Sequence, residues 1–462
     1  MLTWNKYTSP IMPKADKILQ ALSILILAIA FSFLIIKFPP IYSCAIVFLM
    51  ALVFLSIANP YKFLILIILI KPIMIVFELE HSPISAIFGT NITISLDAFV
   101  SMTIIMITIL YISINRSSQF FNYSLTKIFL LFIVYCSFGI FLTQYPLEFY
   151  KKFGRLVSIL ALYIIILNLI NDEIKTKTAE KAMLLCCLIV IILGFSYFLF
   201  TGFDKLAIDR VANIGVNNFG LLMTYILLFI AGYLMTGERC LISKWALYLM
   251  SAAGLVLLIF CACRSAWIGL VLGLFAQFFF LRNKKFSLKL LIVFLFIIIL
   301  FLPEIGRRVG DLKGTSFEPN RVYYRNSLEG RMFVYWPASY RVFLRSPIVG
   351  HGLGSYIYLN YVLEDVNRSS HNDYLAILVD TGVIGFSLFI ILLIALFKPI
   401  FRMLKQGVIP KYYSLVLGAT GISIAFLEVS LFDGTFYGGG ASSFFFLTIF
   451  LLHAAFLVNK ES

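Results

Sequence analysis

Residues 369–397 read "SSHNDYLAILVDTGVIGFSLFIILLIALF", and the apolar run from Asn372 to Phe397 sets the class of the whole chain. It is longer than the roughly 20 residues that a membrane-spanning helix needs. Its entrance is polar. Ser370 followed by Asp373, just before the run, is a capping-box signal, which makes His371 a first-turn residue of the helix. The positive end of a helix dipole disfavours an imidazolium, so a histidine there stays neutral and able to accept a proton. A polar residue that merely marks the membrane interface is the competing reading of the same letters.

The run has company. Fourteen apolar runs reach spanning or near-spanning length, at roughly 18–36, 39–58, 61–78, 93–114, 124–143, 153–171, 182–200, 217–236, 244–262, 265–281, 287–303, 372–397, 412–430 and 441–458. Two or three are short enough to be re-entrant or to merge, so the expectation is an all-α polytopic membrane protein with 12–14 transmembrane helices. The composition agrees: 61% hydrophobic, 13% charged and a mean hydropathy of +0.99 exclude an ordinary soluble globule. The polar start, with Lys6, Lys14 and Lys17, leads into a full-length span and reads as a retained first helix rather than a cleaved signal. Three regions follow: a helix bundle over 1–303 with about eleven spans, one long outer loop over 304–371, and about three further spans over 372–462.

A net charge of +15 invites a nucleic-acid reading, and its distribution argues against one. With the N-terminus cytoplasmic and sides alternating across fourteen spans, inner segments hold twenty Lys and Arg and short outer segments hold seven. Nine more fall in the 304–371 loop and Lys71 falls inside a span. That excess on the inner side is the positive-inside pattern, so both termini are expected in the cytoplasm.

The outer loop holds eight of the fifteen arginines but one of the twenty-two lysines. Solubility alone does not ask for that bias. A guanidinium fork binds phosphate oxygens in pairs and stays charged when partly desolvated. Six acids in the loop offer the alternative of structural ion pairs. Residues 330–345 suit an interfacial helix, with Arg331, Arg341 and Arg345 within about 80° on an ideal helical wheel and Pro337 kinking or restarting it. The segment "SPIVGHGLGSY" (346–356) is a proline–glycine turn that permits tight bends and close backbone approach.

Other outer residues add to the picture. Arg264, in "CACRSAWIG", sits in a short turn between two apolar runs, where a cation is costly unless it pairs or snorkels to the interface. Arg210 precedes a span, and Lys151, Lys152 and Arg155 form a further outer basic cluster. Three of the four histidines, His81, His351 and His371, fall outside, and His453 lies in a span. No HExxH, P-loop or GxSxG motif is present, and the Glu78-Leu79-Glu80-His81 cluster is the one metal candidate of note. Seven cysteines sit in or beside spans, apart from Cys240, and imply no disulfide framework. Lys71, Asp97 and Glu428 are intramembrane ionisable residues that keep a transport pathway open as a second class of function.

Taken together these segments resemble the O-antigen ligase and polymerase superfamily. "RSSHNDYLAILVDTGVIGF" is similar to the family's His-Asn motif and following Glu-x-Gly-x-x-Gly helix, with Asp380 in the acidic position. "CRSAWIG" resembles its Ser-Arg-x-x-x-x-Gly segment, with Cys263 for serine, and Gly330, Arg331 and Trp336 followed by "SPIVGHGLGSY" resemble its loop motif. "NIGVNNFG" and "FLEVSLFDG" resemble two further helix segments, the latter with Glu428 as its acid, so the likeness runs over about 205–433. The resemblance implies a GT-C-like fold with a periplasmic loop in the bacterial inner membrane. It implies transfer of a glycan from an undecaprenyl-pyrophosphate donor to lipid A-core, or to carrier-linked glycan; no cofactor is expected, and because fixed arginines can stabilise a leaving pyrophosphate and the outer segments hold no DxD pair, no metal is expected either. His371 is then the expected base, with Arg210, Arg264, Arg331, Asn372, Arg155, Arg341 and Arg345 as substrate-binding residues. Ligase, polymerase and, from another class, a transporter of an anionic lipid or solute remain open at this point.

Overall fold

The computed structural model describes residues 54–73, 96–115, 123–201, 216–238, 240, 242–261, 263–281, 330–364, 371–405, 410–434, 436 and 440–461. They form helices and turns, with no strand among the described residues. In chain order the helices are α1 (Pro60–Ile70), α2 (Leu96–Asn115), α3 (Ser124–Ser137), α4 (Pro146–Leu169), α5 (Glu173–Thr201), α6 (Val216–Thr236) and α7 (Lys244–Cys261). Then follow α8 (Arg264–Phe280), α9 (Trp336–Arg345), α10 (Ser355–Glu364), α11 (Asp373–Lys405), α12 (Tyr413–Phe432) and α13 (Gly440–Glu461). The chain divides into two compact units, 1–63 with 81–94 and 64–80 with 95–462; α1 crosses between them and every later helix belongs to the second.

Eleven of the fourteen apolar runs fall on described helices; 18–36, 287–303 and most of 39–58 lie outside the described residues. Among the described residues eight helices, α3 to α7 and α11 to α13, are long and apolar enough to cross a membrane. The protein is an all-α polytopic membrane protein.

The centre of the bundle is α6, buried on nearly all sides and packed against α12, which also packs against α8. Lipid gives helices no hydrophobic reason to associate, so close packing and polar contacts must hold them. Small residues supply the first. A Cβ on Gly232 of α6 would lie 2.5 Å from the Ser414 carbonyl, and one on Gly273 of α8 2.8 Å from the Gly421 carbonyl. Gln277 supplies the second: its Nε2 donates to Leu228 O at 2.7 Å and Leu417 O at 3.1 Å, joining all three helices.

Helix α11 is broken at Gly382, where φ is +63° and ψ is −172°. A broken backbone at membrane depth must find hydrogen bonds inside the protein. The glycine-rich turn provides them. His351 N donates to Val379 O (3.1 Å), Gly352 N to Asp380 O (2.8 Å), Val383 N to Pro347 O (2.9 Å) and Ile384 N to Ile348 O (3.3 Å). Tyr135 of α3 donates to Thr381 O at 2.8 Å. A Cβ on Gly382 would meet Ile348 O at 2.3 Å, so the two backbones touch because glycine allows it. Buried Asp380 then accepts from Gly354 N (2.8 Å) and Tyr356 N (3.0 Å), capping α10, with Lys152 of α4 3.6 Å away. The turn is a splint for a broken helix, and the acidic family position is its anchor.

Pro337 restarts the helix as expected, in the first turn of α9. The arginine stripe does not form. Residues Arg331–Tyr335 adopt a π turn, wider than an α turn, which takes Arg331 off the face shared by Arg341 and Arg345.

Candidate active site

The polar entrance to α11 is built differently from the capping box in the sequence. Asn372 Oδ1 accepts from Leu375 N at 3.0 Å, so Asn372 is the N-cap and His371 precedes the helix rather than lying in its first turn. Asp373 turns sideways and accepts from Phe436 N at 2.8 Å. Asn372 is buried and its oxygen is engaged in the cap, so its place in the site is to fix the helix start behind His371. Ser370 lies outside the described residues.

His371 has φ +46°, the one positive φ at a non-glycine among the described residues. Histidine is among the residues that tolerate this region, and such backbone strain gathers at functional sites. In this conformation Nδ1 lies 3.3 Å from Asp433 Oδ1. Asp433 follows α12 directly, its N–H tied back to Val429 O at 2.8 Å, and Oδ1 also accepts from Gly434 N at 3.0 Å. Burial by itself pushes the Asp433 carboxyl up. The hydrogen bond and charge of His371, together with Arg331, more than reverse that and hold it below the usual carboxylate range.

Arg331 joins this pair. Its Nη1 donates to Phe432 O, the last carbonyl of α12. Burial lowers the Arg331 pKa from its ordinary value, and the Asp433 charge acts in the opposite sense. Arg264, exposed at the first position of α8, lies within electrostatic reach of Arg331, and among the described residues no carboxylate pairs with it. A cation at the positive end of a helix, beside a second cation, is an unfavourable placement unless an anion is bound there. The first turn of α11 adds backbone N–H groups at the same end of the bundle. Cys263 caps α8, its Sγ 3.3 Å from Ser265 Oγ, and burial pushes its thiol up.

The remaining candidates fall elsewhere. Arg341 Nε and Arg345 Nη2 both engage Glu364 of α10, at 2.6 and 3.6 Å, so these two brace α9 against α10 rather than join His371. Arg155 is half-buried on α4, one turn beyond Lys152. His351 is 3.0 Å from Val342 O, and His453 is buried 2.9 Å from Leu396 O. Lys71 is buried and donates to Ser101 Oγ at 3.2 Å. Arg210, His81 and the Glu78–His81 cluster lie outside the described residues. Among the described residues no three of His, Cys, Asp and Glu gather to hold a metal.

Residues 246–390 match the family model described as O-antigen ligase. Over this segment the match supports the likeness to the O-antigen ligase and polymerase superfamily. No curated protein matches the chain. The O-antigen ligase segment contains Arg264, Arg331, His371 and the Gly382 break, and it ends before α12. Asp433 therefore enters the site from beyond the matched domain. Its only sequence signal is the Asp-Gly turn that closes an apolar run, in a segment whose visible acid is Glu428.

Proposed function

We propose that the protein is an O-antigen ligase-type glycosyltransferase. It moves a glycan from undecaprenyl pyrophosphate to a sugar hydroxyl of lipid A-core at the periplasmic face of the inner membrane. The observation that carries this reading is the meeting of two arginines lacking full ionic compensation with a His–Asp pair at one end of an intramembrane bundle. The likeness to the family does not divide these roles, and the geometry supports the division that follows.

When the glycosidic C–O bond to pyrophosphate breaks, negative charge grows on the leaving group. Arg264 and Arg331, with the N-terminus of α11, are fixed donors for that charge and need no metal to act. The acceptor hydroxyl has a high pKa and benefits from a positioned base. With Nδ1–H donating to Asp433, His371 presents Nε2 to take that proton, and Asp433 holds the tautomer and stabilises the resulting imidazolium. Attack by the acceptor from the face opposite the leaving group inverts the anomeric centre. Transfer to carrier-linked glycan, the polymerase reaction, uses the same donor chemistry.

The deciding experiment is the envelope glycan profile of a deletion strain. Ligase function predicts uncapped lipid A-core with polymer retained on the carrier. Single repeats on lipid A-core identify a polymerase instead, and an unchanged profile removes both. Transfer by the purified protein should also survive EDTA; loss that a divalent cation restores would overturn the arginine account.

A further inference from the structure

Beneath the His371–Asp433 pair the bundle contains polar atoms that the mechanism above leaves unused. Glu428 of α12 is 9% exposed, and neither carboxyl oxygen has a hydrogen-bond partner among the described residues. It lies against α8, where a Cβ added to Gly269 would come within 3.1 Å of Oε2. Tyr225 of α6 is fully buried, its hydroxyl equally unpartnered among the described residues. It lies within electrostatic reach of Glu428, Asp433, Asp373 and Cys263. Asp433 Oδ2 and Arg331 Nε are also buried and without hydrogen-bond partners among the described residues. Five such atoms thus lie on four side chains, donors and acceptors both, linked by the electrostatic reach of Tyr225 to Glu428 and Asp433 and of Arg331 to Asp433.

Buried polar groups left dry are expensive, and a polar interior site typically holds water that makes about three hydrogen bonds. An apolar side chain at position 428 would pack against Gly269 without that cost, so a carboxyl there is selected for something other than packing. It stands five residues before Asp433, about one and a half turns of α12, a separation that a short file of waters spans. We propose that Glu428 is a positioning residue for the His371–Asp433 pair, acting through internal water in a buried chamber bounded by Tyr225, Glu428, Asp433 and Arg331. The water satisfies Asp433 Oδ2 and so fixes the carboxylate that orients the imidazole. This role rests on the transferase reading for its effect on rate; the chamber itself does not.

The test has two arms independent of glycan transfer. X-ray hydroxyl-radical footprinting of the intact protein in nanodiscs oxidises buried tyrosines beside bound water. Tyr225 should be modified about tenfold faster than Tyr163, which is equally buried but has its hydroxyl against His453 Nδ1 at 3.4 Å. Carbethoxylation of His371 by diethylpyrocarbonate, mapped by mass spectrometry, should change at least about threefold in Glu428→Leu and stay near wild type in Glu428→Gln. A third arm measures transfer: kcat should fall about tenfold in Glu428→Leu with the donor KM unchanged, while Glu428→Gln stays within about twofold. Both variants must keep the wild-type gel-filtration profile and Tm. A Tyr225 as protected as Tyr163, or a Glu428→Leu variant with unaltered His371 reactivity, overturns the proposal. If the wild-type protein transfers no glycan, the functional reading fails while the first two arms still decide this one.

Discussion

His371 takes its chemistry from a partner 62 residues away, and single substitutions on each side should show it. Glutamine at 371 keeps hydrogen bonding but cannot take a proton, so His371→Gln should lower transfer at least about a hundredfold in a purified assay. Folding should survive, because the helix start belongs to Asn372. Asp433→Asn keeps the shape but loses the charge that holds the tautomer, and a loss on the order of 10² is expected. The folded pKa of Asp433 is depressed, so its stabilising effect is complete above the unfolded value of about 3.9 and is lost only as pH falls through the lower folded one. Arg264→Lys keeps a charge but not a fork, and the donor KM should rise about tenfold or more; an unchanged KM would deny Arg264 its phosphate role. The residues with unusual chemistry for their setting, His371, Arg264 and Arg331, were legible in the sequence. Asp433 was not, because nothing local marks an acid after α12 as the partner of a histidine before α11. The capping box misled because Asn372, between the two expected members, does the capping itself.

At the scale of the element, α11 and the glycine-rich turn are one device. The turn's backbone takes over the hydrogen bonds that the break at Gly382 leaves open, and Asp380 fastens the start of α10 to the same point. That places His371, about three turns before the break, on a segment held from both sides. Gly382→Ala combines a left-handed φ with a Cβ 2.3 Å from Ile348 O, so the backbones must separate. Loss of more than about 3 kcal/mol, or failure to accumulate in the membrane, is the expected outcome; a Tm within a degree of wild type in detergent would contradict it. Hydropathy located the described spanning helices because bilayer depth demands long apolar runs. It gave no sign of the break, since a glycine inside such a run reads the same whether the helix continues or not. The arginine stripe failed for a related reason: wheel arithmetic assumes an ideal α-helix, and the π turn shifts everything before Trp336.

For the whole molecule, the question is which face carries the site. The end opposite His371 is rich in cations: α5 begins with Lys175, Lys177 and Lys181, α7 with Lys244, and α11 ends with Arg402 and Lys405. These ends are joined, since Lys177 donates to Lys411 O at 2.6 Å across the α11–α12 junction. Short basic segments are retained in the cytoplasm, so the proposed reaction expects the His371 end on the periplasmic side. Two single-cysteine substitutions separate the faces. Tyr361, half-exposed on α10, belongs to the His371 end, and Ile174, 80% exposed on α5, to the other. Five of the six described native cysteines are buried, and Cys44→Ser with Cys240→Ser removes the other two of the seven, so background labelling should be low. In intact spheroplasts a membrane-impermeant maleimide should label Tyr361→Cys within minutes and leave Ile174→Cys untouched until the membrane is opened. The reverse pattern would turn the site toward the cytoplasm. A donor presented on the periplasmic side could not reach His371 from there, so that single result would remove the proposed reaction as well as the topology.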